Sequence, residues 1–596
     1  QPVHYISPSG FRDNTFREIQ SCKEAFLERR IQESAGKFIL RQHQTFLDVS
    51  HGYDPSIWNN EAPDALETTM MAGGVTATYL DEDCWPDLLV AGSGPSGVSA
   101  LLNQSPIEGF KSDAEILSSI PGSDKAISVT GVAHGDLNGD YSRELIYGNL
   151  GSGDIVISAV SPSGIYSEIQ RLPSSMSTFG ISLGDIYGDE YIDIFTAHWG
   201  DLYYHEQVVR SISPSFWRNS SDGPFDFIPF DQHSGFLSDE INRSFNFSGL
   251  LIDFDDSGSL DIAIISDFGT TEVLSNRGDG YFNIVTEQPV ITDENGMGGV
   301  MADFNNNGYM DLFVSSIFDP NQQAEGDWGV SGNRLYKRIE DHSEISFEDV
   351  TSHAGVRDSG WGWGVCAKDF NNNGFVDIFV VNGFGYIPEG VVDEEVRDLF
   401  MTFAAEFIGT PPRLFLNQGD MRFVDATEEW GLDVPSEGRG VVCFDYDRDG
   451  DIDIALLDHS TGVQFFENQI SGSDQANFIG IRLVGRSPNT DAIGAQVYLF
   501  DIAESSMQMR VSQANTNFNS QNPPDLHFGL GARDVADIML VRWTDRSGVE
   551  CTDVPANSFI ILDQRDDIWP KDPEKSILDC VWHGDISARL TELRGH

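Results

Sequence analysis

The chain is 596 residues long and 40% hydrophobic, enough to bury a large core in more than one domain. Its 94 acidic residues outnumber 36 basic ones, for a formal net charge of −58, and that field excludes nucleic acid and anionic membrane surfaces as partners while favouring cations. No apolar run reaches the ~18 residues that a membrane-spanning helix needs.

The first residue is Gln1 rather than Met, as expected of a secreted chain relieved of its signal peptide. Residues 1–44 are predicted to form a helical extension, with Asp13, Asn14 or Thr15 as caps and Phe16, Ile19, Phe26 and Leu27 as apolar contacts. Thr45–Ser50 then reads as a short strand.

From residue 45 to about 470 one nine-residue frame recurs. Four copies are complete: Asp253, Asp255, Ser257, Ser259 and Asp261; Asp303, Asn305, Asn307, Tyr309 and Asp311; Asp369, Asn371, Asn373, Phe375 and Asp377; Asp445, Asp447, Asp449, Asp451 and Asp453. Each has glycine at the sixth place and runs into an apolar stretch such as Leu312-Phe-Val314. Three copies are degenerate. One keeps Asp136, Asn138, Asp140 and Glu144 but has Tyr141 at the glycine place, and another keeps Asp185, Asp189 and Asp193 with Tyr187 third and Glu190 sixth. The first keeps Asp81, Asp83 and Asp87 but opens on Tyr79.

Such a frame wraps a hard cation. Side-chain oxygens at places one, three, five and nine converge, the seventh residue gives its backbone carbonyl, and glycine takes the sharp turn. Calcium is expected; magnesium asks for a stricter octahedron, and soft metals ask for His or Cys. Asp, Asn and Gly also make plain turns, which is the competing reading for the degenerate copies. EF-hands are excluded because flanking helices and a twelfth-place Glu are missing. Short strands flank every loop instead, so the expected fold is all-β: a seven-bladed propeller with one loop per four-stranded blade.

After the propeller comes a small β-sandwich-like domain over residues 474–565 and a tail over 566–596. Six cysteines without a CxxC pair suggest one to three disulfides, with Cys551 and Cys580 placed to pin the tail. Asn103, Asn219, Asn242 and Asn246 open glycosylation triplets that agree with export.

At the loops the chain resembles FG-GAP/VCBS repeat propellers with integrin-like blades. Phe347–Thr351 with Ala354-Gly-Val356, and Phe423–Thr427 with Trp430-Gly-Leu432, look like blade junctions of the cartilage acidic protein family. Asn477–Gly485, Asp491–Ala495, Ser520-Gln521, Leu526–Gly531 and Val541-Arg-Trp543 look like its ASPIC/UnbV domain. The amino-terminal extension has no counterpart in that pattern. Thr45–Ser50 resembles an outer blade strand and is expected to close the last blade, while the helical extension is placed to cover one mouth of the ring.

The loops then lie on one face, where calcium has a structural role, and ligand chemistry belongs to the opposite mouth. Residues leaving the second strands reach that mouth: His198, Trp199, Asp201, Asp267, Asp319, Asn382, Asp458 and His459, with Trp361 and Trp363 before an inner strand. A His among carboxylates and Trp faces can hold a substrate and move a proton. Two functions follow. One is an extracellular scaffold that binds a protein, glycan or small molecule; the other is a lyase, isomerase or cyclase without an organic cofactor. A deep pocket gathering His198 or His459 with carboxylates would favour the second.

Overall fold

The computed structural model describes residues 3–6, 39–41 and, with interruptions in the loops, 71–594. Every recurrent loop falls between the first and second strands of an antiparallel four-stranded meander. In the fifth sheet, Gly299–Ala302, Asp311–Val314, Arg334–Arg338 and Phe347–Asp349 pair in that order. Second strands such as Asp261–Ser266 and Asp453–Asp458 are buried along their whole length, as their unbroken apolar character requires. The last strands, such as Phe347–Asp349 and Phe423–Asp425, bury only their first residue.

Seven such sheets follow one another. Their first strands are Val75–Thr78, Ile127–Gly135, Thr178–Gly184, Asn246–Ile252, Gly299–Ala302, Gly362–Lys368 and Gly438–Phe444, and each lies against the next, with the last against the first. The fold is a propeller. Its core lies between adjacent sheets, so Val75 and Leu88 of the first share one cluster with Val442 and Phe465 of the seventh.

The seventh sheet is closed by an amino-terminal strand, as the chain order suggested, but the strand is Ile39–Arg41. It pairs antiparallel with Gly462–Glu467, Ile39 opposite Glu467 and Arg41 opposite Phe465. The predicted helix therefore does not run through residue 44. An open edge of unpaired amides and carbonyls outweighs local helix preference here. Thr45–Ser50 and residues 7–38 lie outside the described residues. Val3–Ile6 is also a strand, parallel to Ser558–Asp563 of the C-terminal domain.

That domain packs two sheets face to face. One has the order Val3–Ile6, Ser558–Asp563, Asn477–Val484, Leu526–Gly531; the other runs Ser506–Val511, Gln496–Asp501, Val535–Arg542, Gly548–Pro555, Asp579–His583. Ile481, Val497, Phe528, Met539 and Ile560 lie between them. Residues 566–596 are not merely a tail: Asp579–His583 is the fifth strand, bridged to its neighbour by Cys551–Cys580, and the helix Ser587–Arg594 buries Leu590 in a cluster with Tyr498 and Leu540. A second disulfide, Cys366–Cys443, joins the first strands of sheets six and seven. Cys22 and Cys84 lie outside the described residues.

Three glycosylation triplets are closed to a glycan, because Asn103, Asn219 and Asn246 are at most 2% exposed and hydrogen-bonded. Asn242 lies outside the described residues.

Candidate functional site

The complete loops share one hydrogen-bond scheme. The first Asp accepts the fifth residue's amide on one oxygen and the sixth residue's on the other: Ser257 and Gly258 on Asp253, Asn307 and Gly308 on Asp303, Asn373 and Gly374 on Asp369, Asp449 and Gly450 on Asp445. The seventh residue's amide (Ser259, Tyr309, Phe375, Asp451) donates to the side chain of the fifth. Carboxylate oxygens of Asp253, Asp255 and Asp261 lie within 4.8 Å of one another, as do those of Asp445, Asp447 and Asp453. An all-oxygen cluster of that size suits a hard divalent cation.

Glycine at the sixth place is needed, since Gly258 has φ of 89°. The fourth residue also turns left-handed, with φ of 62° at Asp256, 58° at Asn306, 57° at Asn372 and 59° at Arg448. In two degenerate loops the glycine has moved to this fourth place, as Gly139 and Gly188, and Tyr141 and Glu190 take the sixth at 72° and 69°. Asp136 and Asp185 still accept the amides of Tyr141 and Glu190, so these loops keep the turn. In the first loop Asp81 and Asp87 are described, and Asp83 lies outside the described residues.

The ninth carboxylate has a further task that the loop pattern alone did not disclose. One oxygen takes the amide of the loop's second residue, and the other takes an amide at the end of the third strand. Asp261 thus holds Phe254 and Asn276, Asp377 holds Phe370 and Asn417, and Asp453 holds Tyr446 and Asn468. The side-chain amide of the same Asn then crosses to the preceding sheet: Asn276 to the Ile186 carbonyl at 2.7 Å, Asn417 to Phe304 at 2.8 Å, Asn468 to Phe370 at 2.9 Å. Asn219 reaches Leu137, and Asn103 reaches Tyr446 across the closure of the ring. The fifth sheet departs, with Arg338 donating its amide to Asp311. The sequence signal was an Asn 15 residues after the ninth-place Asp in two copies and 16 in another.

Burial makes these carboxylates reluctant to ionise. It raises Asp253 to about 7, Asp303 and Asp369 to about 6 and Glu144 to about 9, and it lifts Asp261, Asp311 and Asp377 well above the usual carboxylate range.

The loop face is also where the C-terminal domain docks. Arg542 and Arg594 meet Asp256, His527 Nε2 lies 2.6 Å from Asn372 Oδ1, and Thr490 donates to Asp136. Arg448 and Arg482 flank the buried Asp525 at 2.7 and 2.8 Å, and their charge holds its carboxyl well below the usual range despite burial.

From this domain a segment enters the centre of the ring. Thr516, Phe518, Asn519 and Ser520 have no exposed surface. Ser520 accepts the Val75 amide, Gln521 the His134 amide, Thr516 the Ile181 amide, Asn515 the Leu251 amide, and Asn522 the Cys443 amide, at 2.7–3.0 Å. The Asn517 carbonyl takes Gly299, and Phe518 lies 5.3 Å from the Trp363 ring. First strands of all seven sheets thereby touch one segment. The plug comes from the C-terminal domain; residues 7–38 of the amino-terminal extension, the expected cover of one mouth, lie outside the described residues.

Among the described residues Trp199 meets Asp267 and Trp361 meets Trp363, but none of the proposed mouth residues bonds the His198 ring. His198 is fully buried, with Thr178 at 3.0 Å on Nδ1 and Thr196 and Ser215 at 3.1 and 3.3 Å on Nε2, and burial lowers its pKa to about 3. Among the described residues no carboxylate bonds it. Asp458 caps a turn, accepting amides of Ser460, Thr461 and Glu437, and the His459 amide bonds the Glu437 carbonyl. Trp199 donates to Asp267, Asn382 to the Pro411 carbonyl, and the Asp319 amide to Gly329. Trp361 and Trp363 stack at 6.1 Å in an aromatic core, with the Arg439 guanidinium 4.5 Å from the Trp363 ring. Asp201 begins a short strand, and its side chain lies outside the described residues.

Known proteins agree with this anatomy. The model of the FG-GAP-like repeat matches residues 253–314, and that of ASPIC and UnbV matches 485–568. Cartilage acidic protein 1 of Homo sapiens is 28% identical over 297 residues, 48% of this chain and 39% of that protein. Its namesake in Xenopus tropicalis is 23% identical over 422 residues, 63% of this chain and 59% of that protein. The chain thus spans less than two thirds of the curated relatives it matches. Among solved structures, the rhamnogalacturonan lyase YesW is 11% identical with a TM-score of 0.27, covering 73% of this chain and 90% of that one. The exotype lyase YesX is 13% identical at 0.31, covering 90% and 92%. Likenesses that low carry nothing about activity. The chain is thus similar in part to cartilage acidic protein 1, and it carries an FG-GAP-like repeat and an ASPIC and UnbV domain.

Proposed function

We propose that the protein is an exported, calcium-stabilised scaffold that binds its partner on the propeller surface and performs no chemistry in the channel. The observation that carries this reading is the plug: the ring's centre, where a propeller enzyme would place substrate, holds Phe518 and its neighbours. An acid–base mechanism also needs a titrating pair, and His198 sits neutral among hydroxyls. Calcium would be held by the loop oxygens of Asp253, Asp255 and Asp261 and of Asp445, Asp447 and Asp453, with the Asn-bearing loops at Asp303 and Asp369 alongside. Its charge would relieve the buried carboxylates and firm the face on which the C-terminal domain docks. The opposite face then remains for an extracellular protein, glycan or small molecule.

The test is metal content and thermal stability of the purified chain. Several calcium ions per chain should survive gel filtration, magnesium should not replace them, and chelator should lower the melting temperature. Metal-free protein whose melting ignores chelator refutes the calcium reading. Turnover abolished by Phe518→Ala or His198→Gln in a lyase screen would refute the scaffold reading.

A further inference from the structure

Where the fifth and sixth sheets meet the C-terminal domain there is a cavity of about 100 Å³. That is space for about three waters at liquid density. Met301 and Met310 wall it from the propeller, and Met509 walls it from the C-terminal domain. Each partner also brings one cation, Lys368 and Arg510.

Among the described residues neither cation meets a carboxylate. Lys368 Nζ has only the Asp525 backbone carbonyl, at 3.5 Å. The Arg510 guanidinium donates to the carbonyls of His527 and Met509 and to Gln508 Oε1, at 3.2, 2.9 and 3.3 Å. The Asp525 carboxylate in the same wall is held by Arg448 and Arg482. Asp369, Asp303 and Asp377 are the negative groups whose charge reaches Arg510, and all three belong to the fifth and sixth loops. Once calcium claims those loops, a step that rests on the function proposed above, two half-buried positive charges have no counterion among the described residues. Partly burying an unpaired charge carries a desolvation cost, and an anion entering the cavity offsets it.

We propose that this interdomain cavity binds a small organic carboxylate, its anionic head between Lys368 and Arg510 and its hydrocarbon end among the methionines. Chloride or sulfate would answer the charge and leave the methionine walls unfilled. A short carboxylate answers both. Because the walls belong to two domains, occupancy would also hold them together.

Butyrate is the probe, with chloride and sulfate at matched ionic strength, titrated calorimetrically into the calcium-replete full chain. Calcium measured on the same sample separates failure here from failure of the loops to bind metal. Saturable binding of one butyrate per chain is expected, weakened about tenfold or more by Lys368→Met, since a charge-assisted hydrogen bond contributes about 1.5–3 kcal/mol. Near-ultraviolet circular dichroism establishes that the variant is folded, and 4-bromobutyrate should give anomalous scattering in the cavity of the unsubstituted protein. Calcium-replete protein that binds no butyrate, binds it equally well as folded Lys368→Met, or binds chloride and sulfate as tightly, overturns the proposal.

Discussion

Phe518 is the most direct handle on the plug. Its ring has no exposed surface and sits 5.3 Å from Trp363, 5.4 Å from Phe247 and 5.9 Å from Phe179, centroid to centroid. Phe518→Ala removes that ring from a space bounded by first strands, which are fixed by their own ladders and cannot collapse inward. A buried Phe→Ala change in such a setting costs about 3–5 kcal/mol, part transfer and part cavity. Guanidinium unfolding followed by tryptophan fluorescence reads it, with Trp363 reporting on the same cluster. Ile502→Ala is the control, because Ile502 is 64% exposed and a surface change of that kind stays within about 0.5 kcal/mol. If Phe518→Ala unfolds alongside Ile502→Ala, the segment lies in the ring without supporting it, and the reasoning fails.

Acidity should act oppositely with and without calcium. Asp253, Asp303 and Asp369 are raised by burial to about 7, 6 and 6, above their unfolded value, so metal-free protein is most stable when they are protonated. That stability is present below about pH 4 and lost as pH rises through 6 to 7, at ~1.4 kcal/mol for each tenfold difference in acidity between folded and unfolded chain, so chelated protein should melt lower at pH 7.5 than at pH 5. Calcium should flatten or reverse that slope. Asp525 runs the other way: its lowered pKa gives stability present above about pH 4 and lost on further acidification. Asp525→Asn leaves Arg448 and Arg482 buried together and should cost about 3–5 kcal/mol in denaturant titration. Asn276→Ala and Asn417→Ala each remove a side-chain amide shared between sheets and should cost about 1–3 kcal/mol, measured the same way.

The wheel was legible because each loop writes its chemistry into nine consecutive residues, and the glycine at the sixth place marks where the chain turns. The plug was not. Ala514 to Asn522 reads as an ordinary Asn-rich loop, and its partners lie from 76 to 445 residues upstream on seven strands whose common centre has no sequence signature. The surroundings of His198 were equally illegible, since the Thr178, Thr196 and Ser215 hydroxyls that meet its ring come from three different strands. Three glycosylation triplets misled because Asn103 and Asn219 are latches between sheets and Asn246 is bonded within its own sheet. The closing strand came from residues 39–41 because a three-residue edge strand needs partners more than it needs a pattern.

Those short amino-terminal strands bear on biosynthesis. Val3 lies beside Phe559, and Ile39 beside Glu467, so each of these strands bonds with a partner made several hundred residues later. At ~5–20 residues per second, Val3 leaves the ribosome roughly half a minute to two minutes before its neighbour exists. Through that interval the two edge strands await sheets that have yet to be made. Neither module can finish folding by itself in order of synthesis, and both are completed from the same short stretch of nascent chain.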